Sequence, residues 1–584
     1  MAAMDAGWAR RGAWFPFFVL AVGTFVGSVV AAGVMLYRAA GEQDLLGRAD
    51  PAEAGDSSAA RLPLTYLGVL PASLTDEDLA AATDQAKADV IFQRSSSPDA
   101  VPVRYFVPVA SLAAGLDRVT SAQLLGLLDG SLTLAQAGGI GGAATELGPD
   151  IGADAELLAA YGPAPDAVVS GGYEALVKAV ASRPDAIAFV PLDFVTFAVS
   201  ALNVDGVDIV RGVGDPASWP YTERVKLTAR SERGKAALPG LQAKLATTLP
   251  KVTKVIATGD ILQSRCSLTA IEATGDWGAA VRGPMAEYLA SADLTLGSLD
   301  GSIQDIGQPY GCVATTNLTS PPETIQALTL AGFDEMTVAT NHVFDCGQTF
   351  CGTRAFLRTL ELLDQAGIKH VGGGNNLEEA LAPVIFEVNG TKFGVLGFDD
   401  VAAYELEATD TEPGTAPLDD SYAEENAAGE PAFFRPAEEL SLNRFTARIR
   451  ALKQQVDVVI VQVQTGTEDT HDPSPRSIKA LRAAAAAGAD LIIGNQAHHV
   501  QAVETTEGSF IAYALGNFIF DQVHTPEHTQ GYLVEATFWG KQLANVRLVP
   551  YQIEDKYRPE FAEAPLRAKI LEDVFAASER LPAH

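Results

Sequence analysis

Basic side chains are in short supply. The 584 residues carry 41 Lys and Arg against 73 Asp and Glu, a formal net charge of −32. A field of that sign repels nucleic acid and anionic lipid headgroups, which removes both from the expected partners. It also makes tight capture of a long polyanion dependent on a bridging cation. Cysteine is sparse too, with four residues, Cys266, Cys312, Cys346 and Cys351, gathered in one stretch of the second half. No tight C-x2-C pair occurs, so the pattern does not favour a zinc module. The even count fits two disulfides in an oxidising compartment. Cys346 with Cys351 would span a Gly-containing turn, leaving Cys266 for Cys312 across a longer loop.

Long charge-free stretches are equally rare, and one near the N-terminus stands out. Residues 14–37 hold no charged side chain and are flanked by Arg10, Arg11 and Arg38. At about 1.5 Å per residue this run crosses a hydrocarbon layer of roughly 30 Å, and it exceeds the ~7–15 apolar residues of a signal peptide. It reads as an uncleaved, single-pass signal anchor, with 1–13 cytoplasmic. Basic residues on both flanks leave the orientation open, and the cysteine argument puts the bulk of the chain outside the cell membrane.

What remains is enough for several domains. Residues 38–61 are rich in Ala, Gly, Asp and Ser and read as a linker. Over 62–230, short β-like runs alternate with helical ones, which predicts an α/β domain with a mainly parallel sheet. Residues 231–251 form a polar helical connector, 252–551 a second α/β domain, and 552–584 a charged helical tail.

Two phrases in the first domain, SAQLLGLLDG at 121–130 and YEALVKAVASRPDAIAFVP at 173–191, resemble phosphate-type periplasmic binding proteins. The later VDG at 204–206 and WPY at 219–221 fit the end of that fold. No Ser/Thr-Gly anion cradle stands out, so no ligand residues are assigned there.

In the second domain, VIATGD at 255–260 is an apolar strand ending in Gly-Asp, which sets a carboxylate on the rim where α/β sheets build sites. VATNHVFDCG at 338–347 breaks from a β-like run into Asn341, an amide oxygen donor, and His342, an imidazole for ligation or proton transfer. Asp345 lies close enough in sequence to orient that ring. This segment resembles the "NNHxxDxG" motif of the CapA family of poly-γ-glutamate capsule synthesis proteins, with Thr340 in place of the first Asn.

Further segments follow the family's order: DLTLGSLD at 293–300, VIVQVQTGTE at 459–468, LIIGNQAHHVQ at 491–501 and YALGNFIFD at 513–521. Departures fall at Ser298 and Asp300, where the family carries Asn and Glu. They fall also at Gln464 and Gln496, where it carries His, and at Thr465, where it carries Trp.

The resemblance implies a metallophosphatase-like α/β/β/α sandwich whose strand ends hold two metals that clamp an anion and activate water. Carried over, Asp260, Asp300, Asn341, Gln464, Gln496 and His498 are metal ligands. His342 is the general acid, Asp345 holds its tautomer, and Glu468, Asn517 and Asp521 line the pocket. Amide oxygens in place of imidazoles shift the preferred divalent metal from Zn toward Mg, Mn or Ca. His370, His471, His499, His524 and His528 read as packing or surface histidines. The implied function is a membrane-anchored, metal-dependent hydrolase of capsule or envelope polymer synthesis. Its rival is a non-catalytic anchor or scaffold for capsule polymer synthase subunits that binds a small anion.

Overall fold

Apolar residues at a period of two build three large sheets among the described residues, and the register of the two in the second half decides which side chains reach the site. The structure is a computed structural model describing residues 64–68, 79–420 and 436–583, apart from 83, 84, 86, 98, 151–153, 155, 156 and 507. The expected membrane anchor and its flanking segments lie outside these residues. Among the described residues no helix is long and apolar enough to cross a membrane.

The first half forms a nine-stranded sheet. Its long central strand, Val101–Ser111, runs antiparallel to Thr222–Ala229, Ala186–Pro191 and Val199–Ala201. Parallel pairs occur only toward the two edges. The expectation of a mainly parallel sheet therefore fails at its centre. Thr222–Ala229 returns from a distant part of the chain to lie beside Val101–Ser111, a pairing no local pattern announces.

The second half is a sandwich of two mixed sheets. In one, Lys369–Val371, Glu335–Thr337, Leu294–Leu299 and Val252–Ile261 are parallel, and Gln530–Trp539, Gln542–Glu554 and Arg558–Phe561 extend it antiparallel. The other runs Val384–Val388, Thr391–Asp399, Val458–Gln464, Leu491–Asn495, Phe510–Ala512 and Val503–Thr505.

Alternation sorts the side chains into layers. Val255, Ala257, Leu294 and Leu296 of one sheet meet Val395, Val458, Ile460 and Ile493 of the other in a shared core, with Phe393 set edge-on to Phe538. The opposite faces pack helices. Ile256, Leu299 and Met336 meet the Pro284–Ala290 and Thr353–Gln365 helices. Val459 and Val461 meet Asn443–Lys453 and Pro475–Ala487. The order is thus helix, sheet, sheet, helix.

Helix Ala564–Glu579 buries Ile570, Leu571 and Val574 against the inter-sheet core. Arg567 and Arg547 reach back to Asp117 of the first half at 3.2 and 3.5 Å, and Trp539 Nε1 donates to the Val210 carbonyl at 3.0 Å.

Both cysteine pairs are joined as expected, Cys266 to Cys312 and Cys346 to Cys351.

Candidate metal centre

Strand ends of both sheets of the sandwich converge on one buried polar pocket. Asp260 is the penultimate residue of the strand Val252–Ile261, and Gly259 precedes it because a Cβ there would run into the Gly516 carbonyl oxygen. Asp300 follows the neighbouring strand Leu294–Leu299, and the register sets Ser298 beside Asp260. From the second sheet, Gln464 ends Val458–Gln464, while Gln496 and His498 lie in the loop after Leu491–Asn495. Both loop residues adopt positive φ, 96° and 56°, a backbone cost of order ~1–3 kcal/mol each that persists only where surroundings enforce it.

Carboxylate oxygens of Asp260 and Asp300 and a ring nitrogen of His498 lie within 4.8 Å of one another, on residues that are 1, 0 and 4% exposed. Asp260 accepts from the Ser298 hydroxyl at 3.0 Å and from the Gln496 amide N–H at 3.3 Å. Both oxygens of Asp300 are buried without a hydrogen-bond partner among the described residues. The amide oxygen of Asn341 is buried and unpartnered as well, next in sequence to Thr340, whose hydroxyl donates to the Leu299 carbonyl beside Asp300.

A second buried carboxylate beside Asp260 opposes its ionisation. Burial, and then the neighbouring Asp300, push Asp260 up to about 7, against the opposing pull of His498 and two hydrogen bonds. A divalent cation is the group that such an arrangement accommodates, because it supplies the charge and the electron-pair acceptor these oxygens lack.

The tautomer of His498 follows from its neighbours. Asn517 Nδ2 donates to the Gln522 side-chain oxygen and the His528 carbonyl, both at 3.1 Å, so its Oδ1 faces His498 Nδ1 at 2.8 Å. An amide oxygen only accepts. Nδ1 therefore carries the proton, and the same nitrogen lies 3.6 Å from Asp260 Oδ2.

The two glutamines behave differently from free ligands. Gln464 Nε2 donates to Gln496 Oε1 at 2.9 Å, and Gln496 Nε2 donates to Glu468 at 3.0 Å. The Gln496 oxygen is thus already engaged, while Gln464 Oε1 stands 3.5 Å from the Ser298 hydroxyl. The chain Gln464–Gln496–Glu468 closes one side of the pocket and ends at Glu468, which is exposed at its rim.

His342 and Asp345 form a pair on the adjoining loop, with Nδ1 2.8 Å from the carboxylate. Burial alone would lower the imidazole's pKa. The Asp345 hydrogen bond, followed by the charge of Asp300, Asp345 and Glu468, raises it instead. Asp345 also accepts from the Leu318 amide at 2.7 Å, and Asn317 Oδ1 accepts from the Cys346 and Gly347 amides. This loop is therefore fixed from both sides, and Asn317 is a supporting residue that no sequence motif marked.

Asp521 does not share the pocket's network. Its oxygens are taken by the Arg265 guanidinium and by the Cys266 amide N–H at 2.9 Å, so it anchors the Cys266–Cys312 bridge region.

Residues 254–522 match the family model described as "Bacterial capsule synthesis protein PGA_cap". The chain is 27% identical over 270 residues to the capsule biosynthesis protein CapA of Bacillus anthracis, covering 46% of this chain and 60% of that one. It is 30% identical over 207 residues to the PGA biosynthesis protein CapA of Bacillus subtilis (strain 168), covering 35% and 47%. The matched stretch thus spans less than two thirds of either relative. Among solved structures, a phosphatase from Mycoplasma pneumoniae is similar at 12% identity and TM-score 0.31, covering 52% of this chain and 94% of that one. An ABC-type phosphate transport receptor from Vibrio cholerae is similar at 14% and 0.23, covering 28% and 75%.

Proposed function

We propose that this chain, whose residues 254–522 match the bacterial capsule synthesis family model and are similar to CapA proteins, acts in capsule or envelope polymer synthesis of the poly-γ-glutamate type as a hydrolase dependent on one divalent cation. The observation that carries this reading is the buried trio Asp260, Asp300 and His498, with both Asp300 oxygens unpartnered among the described residues.

Asp260, Asp300, Asn341 and His498 would hold the cation, and an oxygen-rich set with one imidazole favours Mg or Mn. Bound there, it would polarise a phosphoryl or carbonyl oxygen and acidify a water. His342 would deliver a proton to the leaving group, its ring held by Asp345. Glu468 at the rim would orient the approach to the pocket through its hold on Gln496. The mutual hydrogen bond of Gln464 and Gln496 supports one cation rather than the two that the family resemblance implies, because it engages an oxygen a second ion would need.

That same hydrogen bond favours the second reading, a non-catalytic anchor for polymer synthase subunits. The two disulfides suit an oxidising compartment, in line with an extracytoplasmic position behind an anchor at 14–37.

The test uses the purified full chain and a chromogenic phosphodiester, assayed with Mg or Mn and with chelator. Turnover that requires the metal supports the hydrolase. Metal binding without turnover, on this ester and on a γ-glutamyl amide, supports the anchor.

A further inference from the structure

Four of the eight histidines in the chain lie ring against ring, apart from the pocket just described. The ring centroids of His471 and His499 are 5.2 Å apart, those of His499 and His528 4.5 Å, and those of His528 and His524 4.0 Å. Three loops bring them together: 465–474 with Asp469 and His471, 496–502 with His499, and 520–529 with His524 and His528.

We propose that His499 and His528, with Asp469 holding the His528 ring, form a second cation site, of the imidazole-rich kind that takes zinc, copper(II) or cobalt(II). One potential ligand atom from each of the three lies within 4.8 Å of the others.

Hydrogen-bond arithmetic gives the ring orientation. His528 Nε2 lies 2.7 Å from Asp469 Oδ1, a carboxylate that only accepts, so Nε2 carries the proton, and Nδ1 accepts from the Thr525 hydroxyl at 2.8 Å, a bond that an ion on Nδ1 would displace. That Nδ1 faces His499 Nε2 at 3.4 Å. Two nitrogens on one tetrahedral zinc, each bonded at about 2.0–2.1 Å, stand roughly 3.3 Å apart. At 3.4 Å the contact is long for a hydrogen bond between rings and close to the edge of such a coordination polyhedron. His499 Nδ1 is meanwhile buried with no partner, on a residue 7% exposed.

His471 Nδ1 lies 2.7 Å from the Val500 carbonyl, so it donates there and its Nε2 is left with a lone pair at the margin. His528 is buried, whereas Asp469 and His524 are exposed, so the site has a floor and an open side by which an ion could enter.

The donor chemistry separates the two sites. Oxygen donors with one imidazole suit a hard ion at Asp260, while a cluster of imidazoles suits a borderline one here. The second site stands independently of any hydrolytic reading, because none of its three residues belongs to the first. The sites nevertheless touch through Asn517, which joins His498 Nδ1 to the His528 carbonyl, and through the successive residues Glu468 and Asp469.

The experiment titrates full-length chain carrying Asp260→Asn and Asp300→Asn with Co(II), so that the first site is silent, and follows the visible ligand-field bands. One equivalent with the intense absorption of a four-coordinate nitrogen-bearing site is expected. Adding His499→Gln is expected to abolish it. Since a change at a buried ring can disturb folding, Asp469→Asn, on an exposed residue, serves as the second variant, with an expected loss in affinity of about 10–100-fold. Absence of a nitrogen-type spectrum in the starting protein, or equal affinity in both added variants with circular dichroism unchanged, would overturn the assignment.

Discussion

Asp300 concentrates the physics of the pocket in one side chain. Its two oxygens are buried and accept no hydrogen bond among the described residues, beside a second buried carboxylate. Without a cation this arrangement costs free energy, and Asp300→Asn is expected to raise apoprotein stability by about 1–3 kcal/mol, the cost of an unsatisfied buried group. The same change should remove the stabilisation that added Mn gives the natural chain. Thermal melts with and without metal read both effects, and a variant that melts lower than the natural chain in chelator would count against the argument. His342 plays a different part, since Asp345 fixes its ring and it faces the pocket from an adjoining loop. His342→Ala should cut kcat by about 10²–10⁴ while leaving the bound metal per chain unchanged by elemental analysis. Parallel loss of metal would make it a ligand instead.

At the scale of elements, the strand-end loops are held by buried charge. Arg476, on helix Pro475–Ala487, makes bidentate contacts with Asp400 and reaches Asp419 at 2.8 Å, and all three side chains are almost wholly buried. Thr465, next to Gln464, donates to the same Asp400 at 3.0 Å. Arg476→Leu removes the guanidinium shared by two buried carboxylates and is expected to destabilise by about 3–5 kcal/mol in denaturant unfolding. A cost under 1 kcal/mol would show the pair to be dispensable. Sequence carried the elements of this half well. Gly-Asp after VIAT, Asn-His before Asp345 and Gly-Asn before FIFD are polar residues abruptly ending apolar runs, and each lies at a strand end or in the loop that follows one. Partners were not legible. Nothing in the local pattern says that Gln464 donates to Gln496, that Asp521 belongs to Arg265, or that Asn317 ties down the Cys346 loop, because each bond joins segments dozens to hundreds of residues apart. The antiparallel centre of the first sheet escaped for the same reason. The clustered histidines read as packing or surface residues in the sequence because three separate loops assemble them.

Over the whole molecule, charge sets the response to pH. Glu146 in the first half is buried, and burial, with Asp166 adding, pushes its carboxyl up to about 7 from an ordinary 4.5. The folded form therefore holds this proton more tightly than the unfolded chain does. The stability it contributes is complete below the ordinary value and is lost as pH rises through about 7. Glu146→Gln should flatten that decline in melting temperature, and an unchanged slope would mean that other carboxyls govern it. The most direct test of the central claim is manganese binding to the intact chain, followed by the loss of the free-ion signal in electron paramagnetic resonance. One equivalent bound by the natural sequence and none by an Asp260→Asn, Asp300→Asn double variant is the predicted result. Equal binding by both proteins, or no binding by either, would contradict a cation held between Asp260, Asp300 and His498.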